Sequence, residues 1–456
     1  MPLTHVWKGL NTPGRSYGPK GVHAPRQLLA LAALALFAGS AAAAPTVFTN
    51  ARILAGEGVE FAKGTLAVEE GKILYVGEGP YPHGPEAEVV DLGGKVIIPG
   101  LVDTHSHIGR LSGADSGSPI QPEVRVVDSI NVRDASFRKA RAGGITTVNV
   151  MHGSGHLISG QTLYLKLRRG ETVDDLSITN REGQLAWGIK MANGTNSRRD
   201  PPFPGSRAKS AALVRAKLLA AKEYMEKRER AAGDAEKLPA RDLGFEALVE
   251  ALQGKRVIHH HTHRHDDILA VLRLKQEFGL KVVLHHVSDG WKVADQIAAS
   301  GTPCSIIILD SPGGKQEALD IRWETGGALV EKGVSTAYHT DDYITDSRLF
   351  LRSAAFGVRA GLNAGKALDS LTLEGARMLE LDDRIGSLQQ GKDADFVVLS
   401  GDPFSVYTQV EQTWIEGSKV FDRSNEADRL MAVGGLGAGE PNACDLCCTG
   451  PSNHKD

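Results

Sequence analysis

Ile98-Pro99-Gly100-Leu101-Val102-Asp103-Thr104-His105-Ser106-His107 is an apolar run that stops on two histidines one residue apart. On an extended backbone, residues i and i+2 point to one face. The imidazoles of His105 and His107 then reach a single ion, with Asp103 one step earlier on that face. Imidazole suits zinc and similar divalent metals. Comparable signals recur downstream. His261 lies in the His259-His260-His261-Thr262-His263-Arg264-His265 stretch, which follows the strand-like Arg256-Val257-Ile258. His286 closes Val282-Val283-Leu284-His285, and Asp341 closes Ser335-Thr336-Ala337-Tyr338-His339-Thr340. Lys190, in Trp187-Gly188-Ile189-Lys190-Met191-Ala192, is a further candidate. In this order they outline a metal centre assembled from the strand ends of a (β/α)₈ barrel, and hydrolysis by a metal-activated water.

Working outward, residues 99–383 alternate continuous apolar strands with helix-like segments. The strands include Thr146-Thr147-Val148-Asn149-Val150-Met151 and Cys304-Ser305-Ile306-Ile307-Ile308-Leu309. Helical spacing is read over Ala208–Arg230, Asp266–Gln276 and Ser347–Ala360. This pattern predicts an α/β fold, a parallel (β/α)₈ TIM barrel. A doubly wound sheet would want a glycine-rich phosphate loop after its first strand, and there is none. Between Gly153 and Gly188 the period breaks, which predicts an insertion over the barrel mouth. Residues 45–98 and 384–424 instead show short alternating stretches with glycine turns, read as one small β-sandwich built from both ends of the chain.

The opening motif resembles the segment that starts the barrel in the amidohydrolase superfamily. Arg384-Ile385-Gly386-Ser387-Leu388-Gln389-Gln390-Gly391-Lys392-Asp393-Ala394-Asp395 is similar to that superfamily's return into the sandwich. Ser159-Gly160-Gln161 and His261 to Ile268 carry a narrower resemblance, to the imidazolonepropionase-like and prolidase-like branch. The resemblance implies metal ligation by His105, His107, His261, His286 and Asp341, with Asp341 also moving the proton. It implies a bridging, carbamylated role for Lys190, against a strand-end lysine with its head in solvent. His263 is then expected to face substrate or support the ligands, with His259 and His260 as interior or rim residues. His285 competes with His286, and Asp342 with Asp341. Thr195 stands where related sequences often carry glutamate, so the count stays at one or two divalent metals, zinc first. Arg264, with Arg198 and Arg199, would clamp a substrate carboxylate, or be surface charge.

The expected function is hydrolysis of an amide, peptide-like or cyclic amide C–N bond. A mononuclear deaminase is the alternative, and beyond it a non-catalytic metal-binding protein on the same fold. Net charge is −3 over 456 residues, without the basic surplus that nucleic acid or an anionic membrane requires. A small molecule or short peptide-like substrate is the expected partner, with a homo-oligomer left open. Residues 1–44 read as a secretory signal: a basic stretch, the apolar run Leu28–Ala38, then small residues. That predicts a secreted or periplasmic protein with no membrane anchor after cleavage. Cys304 is expected to pack in a strand. Cys444, Cys447 and Cys448 fall in a tail, residues 425–456, where one pair can oxidise.

Overall fold

The computed structural model describes residues 44–438, apart from 112–114, 116, 232, 309–315, 343 and 436. Residues 1–43 of the expected signal and the three cysteines of the tail lie outside the described residues, while the first part of that tail, expected to be flexible, forms a helix at Glu426–Val433.

The chain opens with β1 (Thr46–Gly56), β2 (Val59–Glu69), β3 (Lys72–Glu78), β4 (Glu88–Asp91) and β5 (Val96–Pro99). These pair with three late strands, β15 (Phe396–Leu399), β16 (Val410–Ile415) and β17 (Ser418–Asp422), into one eight-stranded sheet. Both chain ends contribute, as the sequence predicts, and their strands join by hydrogen bonds into one continuous sheet. Its alternation serves two cores. Phe396 and Val398 join Phe48, Ile53 and Leu66 on one side, while Val397 and Leu399 join the central core on the other. Phe48 packs edge-on against Phe396 and Trp414, both at 5.0 Å between ring centroids.

The apolar run that opens the central part divides at Gly100. Ahead of it lies β5, in the outer sheet; after it β6 (Leu101–Ser106) begins. A Cβ at Gly100 would collide with the Thr146 side chain, so glycine lets the crossing chain approach its neighbour. Then come β7 (Ile145–Val150), β8 (Ile158–Gln161), β9 (Leu163–Lys166), β10 (Ile189–Ala192), β11 (Ile258–Thr262), β12 (Val282–His286), β13 (Cys304–Ile306) and β14 (Thr336–Tyr338). Strands β10 to β14 are parallel neighbours in sequence order. The predicted helices appear as Arg207–Arg230, His265–Phe278 and Phe350–Arg359, the last preceded by a 3₁₀ turn at Ser347–Leu349.

The architecture is α/β and barrel-like, with two corrections to the parallel barrel expected. The strands divide into a six-stranded sheet, β14-β13-β12-β11-β10-β8, and a three-stranded sheet, β6-β7-β9. The stretch expected as an insertion supplies β8 and β9, which run antiparallel to β10 and β7 respectively. Its broken period reflects that reversal. Backbone bonds link the two sheets. Thr162 and Tyr164 donate to Gly188 and Ala186 at 2.8 and 3.1 Å, and Asp341 and His107 exchange bonds with His105 and Asp342 at 2.9 and 3.2 Å. Cys304 is buried in β13 as a packing residue.

Candidate metal centre

β6, β11, β12 and the segment after β14 end at the same face. Their register brings His261 beside His285, and Thr262 beside His286. His105 is fully buried in β6, and His107 lies one residue beyond its end. Asp341 Oδ1 stands 3.4 Å from His105 Nε2 and 2.9 Å from His107 Nε2, while its Oδ2 is 3.9 Å from His286 Nδ1. The donor atoms of His105, His107 and Asp341 lie within 4.8 Å of one another, and those of His261, His263 and His286 form a second such group. Asp341 and His286 both hold left-handed backbone, with φ of 51° and 72°. Strain of that kind in bulky residues persists where surrounding structure enforces it, as functional sites do.

A metal cation fits these residues. His107 Nδ1 is 2.6 Å from the carbonyl of Met151, which only accepts, so Nδ1 bears the hydrogen. His107 Nε2 then faces a carboxylate oxygen 2.9 Å away, a pair that a shared proton or a metal cation would hold together. His286 directs Nδ1 to His339 Nε2 at 3.2 Å, and among the described residues its Nε2 has no hydrogen-bond partner. Ligand imidazoles must be neutral, and burial favours that form at six of the buried histidines. Burial, chiefly, pushes His259 and His339 down to about 3 and His260 to about 4. His105, His285 and His286 fall well below the ordinary value for the same reason. Burial raises the Asp341 carboxyl, but His107 outweighs it and holds the group below its ordinary value.

The remaining candidates fall in several places. Lys190 is fully buried, its Nζ 3.1 Å from His105 Nε2 and 3.2 Å from Met151 Sδ, so its head is not in solvent. His263, expected beside the substrate, belongs to the second donor group, its Nδ1 held 2.8 Å from Ser288 Oγ. Asp342 turns away to Ser347. Arg264 is engaged bidentately by Asp266 at 3.0 and 2.9 Å, so its fork is already used. Arg199 stacks over Phe203 at 3.7 Å, and Arg198 donates to the Gly194 carbonyl. At Thr195, where glutamate was expected, the backbone N–H and hydroxyl both donate to Glu317, at 2.9 and 2.7 Å. A carboxylate therefore reaches that position from elsewhere in the chain.

One interior residue, His339, escaped the sequence reading, and another, Asp103, was placed on the strand face but given no role. His339 is buried with Nδ1 2.7 Å from Ser305 Oγ, its ring stacked on His105 at 4.9 Å. It lies just past the end of β14 and two residues before Asp341, the same i, i+2 spacing as His105 and His107. Asp103 accepts from the backbone N–H of His105 and Thr340, at 3.2 and 3.1 Å, and from the Thr340 hydroxyl at 2.5 Å. Burial nevertheless pushes its carboxyl up to about 7. It ties the first barrel strand to the last.

Known proteins give the same reading. The model of the Amidohydrolase family matches residues 225–421. A solved amidohydrolase from Thermotoga maritima is 33% identical, with a TM-score of 0.77 over 83% of this chain and 100% of that one. The amidohydrolase tasK of Hapsidospora irregularis is 27% identical over 83% of this chain, which spans only 43% of that relative's length. An imidazolonepropionase from Phocaeicola vulgatus is 25% identical over 74% of this chain and 85% of its own. With a relative 33% identical that the chain matches over its whole length, the chain belongs to the amidohydrolase family.

Proposed function

We propose that the chain is an exported, divalent-metal-dependent hydrolase of C–N bonds in a small molecule, with an amide, dipeptide-like or cyclic amide as substrate. The observation that carries this reading is the convergence of His105 and His107 on the Asp341 carboxylate, with the donor atoms of His261, His263 and His286 grouped beside them. His105, His107 and Asp341 would hold one cation; His261 and His286, joined by His263, would hold a second. A divalent cation there supplies Lewis acidity, which makes water a nucleophile at neutral pH and polarises a carbonyl.

The chain's own residues do the rest. Asp341 has one oxygen toward His105 and His107 and the other toward His286, so one can face a cation while the other holds a proton. It accepts that proton from water and returns it to the leaving nitrogen. The packed imidazoles keep bulk water from the site, which strengthens every interaction of the carboxylate. Export is supported by the three-part leader of residues 1–44.

The test is a panel of dipeptides, N-acyl amino acids and lactams offered to zinc-loaded protein, beside His105→Ala. Cleavage by the parent and none by the folded variant is expected, with two equivalents of zinc per chain. One equivalent of zinc and ammonia as the only new product would favour the deaminase. No zinc and no turnover would leave a non-catalytic protein.

A further inference from the structure

Below the donor groups, four side chains form an unbranched line through the barrel core. Tyr164 Oη is 2.8 Å from His259 Nε2, His259 Nδ1 is 3.0 Å from His285 Nε2, and His285 Nδ1 is 3.2 Å from His105 Nδ1. All four are buried. We propose that Tyr164, His259 and His285 form a hydrogen-bond relay that sets the tautomer of His105 and thereby positions its Nε2 for the cation. The inference rests on the metal-dependent reading above and adds three positioning residues to it.

The argument is a counting one. A neutral imidazole has one N–H and one lone pair. His259 and His285 each spend both nitrogens inside the line, so only two consistent arrangements exist, and one is the reverse of the other. Any mixture sets two lone pairs or two N–H groups face to face in the dry core. If His105 Nε2 offers its lone pair to a cation, its Nδ1–H donates to His285. His285 Nε2–H then donates to His259 Nδ1, and His259 Nε2–H donates to the Tyr164 oxygen. The reverse arrangement puts a hydrogen on His105 Nε2 and bars the cation. A cation requires the first polarity, which Lys190, a donor 3.1 Å from His105 Nε2, also favours. The same count removes a rival site: His105, His285 and His339 have donor atoms close enough for a metal, but both nitrogens of His285 are committed.

The line also crosses the barrel. Tyr164 lines a cavity of about 700 Å³ with Trp187, Arg256 and Val257, at the N-terminal ends of β10 and β11 and opposite the donor groups. Cation binding at one end fixes what the Tyr164 hydroxyl accepts at the other.

The experiment uses the full chain with zinc as the probe. Partners that orient a ligating histidine typically change metal affinity by about 10–100-fold. His285→Phe is expected to lose about that much zinc affinity, and His285→Asn, whose amide oxygen can accept from His105 Nδ1, to recover most of it. In ¹⁵N-histidine spectra of the zinc-loaded parent, His105 should be the Nδ1–H tautomer, and His285 and His259 the Nε2–H tautomer. Tyr164→Phe should perturb the His259 signals most. Equal zinc affinity in the parent and His285→Phe, or an Nδ1–H tautomer for His285, overturns the relay and leaves the proposed function standing. A parent that binds no zinc overturns both. If His285→Phe does not fold, the tautomers of the parent decide.

Discussion

The two ends of the barrel both bury polar groups, and they do so in opposite ways. At the end opposite the donor groups, Lys166 is buried in a bond with Asp393, with Asp395 at 3.1 Å and Glu416 at 3.2 Å; Lys72 and Arg384 also reach Asp393. Those charges neutralise one another. Asp393 and Asp395 come from the Gly391-Lys392-Asp393-Ala394-Asp395 motif and hold Lys166 at the end of β9 to the outer sheet, so that motif acts through architecture. At the other end, neutral imidazoles converge on one carboxylate and present lone pairs, including His286 Nε2, that nothing in the described protein receives. At the Lys166 end the charges are paired even though Asp395 Oδ2 accepts no hydrogen bond among the described residues, whereas at the other end the unmet atoms belong to clustered imidazoles that a cation fits.

This contrast breaks if the two ends respond alike to substitution. The largest effect is expected from Asp341→Asn, which keeps the shape and removes the proton acceptor. Turnover should fall about 10²–10⁴-fold, the range for a lost general acid–base group, with the thermal midpoint nearly unchanged. Residual activity close to the parent's would remove Asp341 from the chemistry. Asp393→Ala should do the reverse. It strips Lys166 of its closest partner and should cost about 3–5 kcal/mol in urea unfolding, as breaking a buried pair does, while zinc bound per folded molecule stays the same. A smaller effect tests the imidazole end directly. Zinc at about a hundredfold its dissociation constant should stabilise the chain by about 2.7 kcal/mol. Asp393→Ala should gain the same increment, because distant sites add. A missing increment in that variant would show the two ends to be coupled.

Much of this was legible in the sequence, because period and motif encode it locally. The strand-end positions of His105, His261, His286 and Asp341 follow from apolar runs that stop on polar residues. The outer sheet follows from alternation near both ends of the chain. What failed to show has a common cause: it depends on strand direction and on pairing between distant segments. β8 and β9 read as an insertion because a reversed strand has no distinctive composition. His263, expected beside the substrate or in support of the ligands, has its donor atom grouped with those of His261 and His286, a proximity that spans two strands. Glu317 beside Thr195 comes from 122 residues away, and no local pattern marks it. His339 alone was within reach, two residues before Asp341.

The last effect expected is a dependence on pH, and its sign separates the carboxylates of the Lys166 end. Burial raises the Asp393 carboxyl, but Lys166 outweighs it and holds the group below 3.8. Its stabilisation is therefore full above the ordinary carboxylate value and is lost as pH falls through the lower folded value. Asp395 is raised above 3.8, burial prevailing over Lys166, so its ionisation in the folded state opposes stability and acid relieves that cost. Lys166 itself is raised above 10.5 because Asp395 and Asp393 outweigh burial; its contribution is complete below that value and is lost as pH rises through the folded one. Acid thus acts on the two aspartates with opposite signs, and the parent's urea midpoint should decline only gently below the ordinary carboxylate range. Asp395→Asn removes the opposing group and should make that decline steeper, whereas Asp393→Asn should make it shallower. The same slope in both variants would mean that the acid sensitivity of the fold arises away from Lys166.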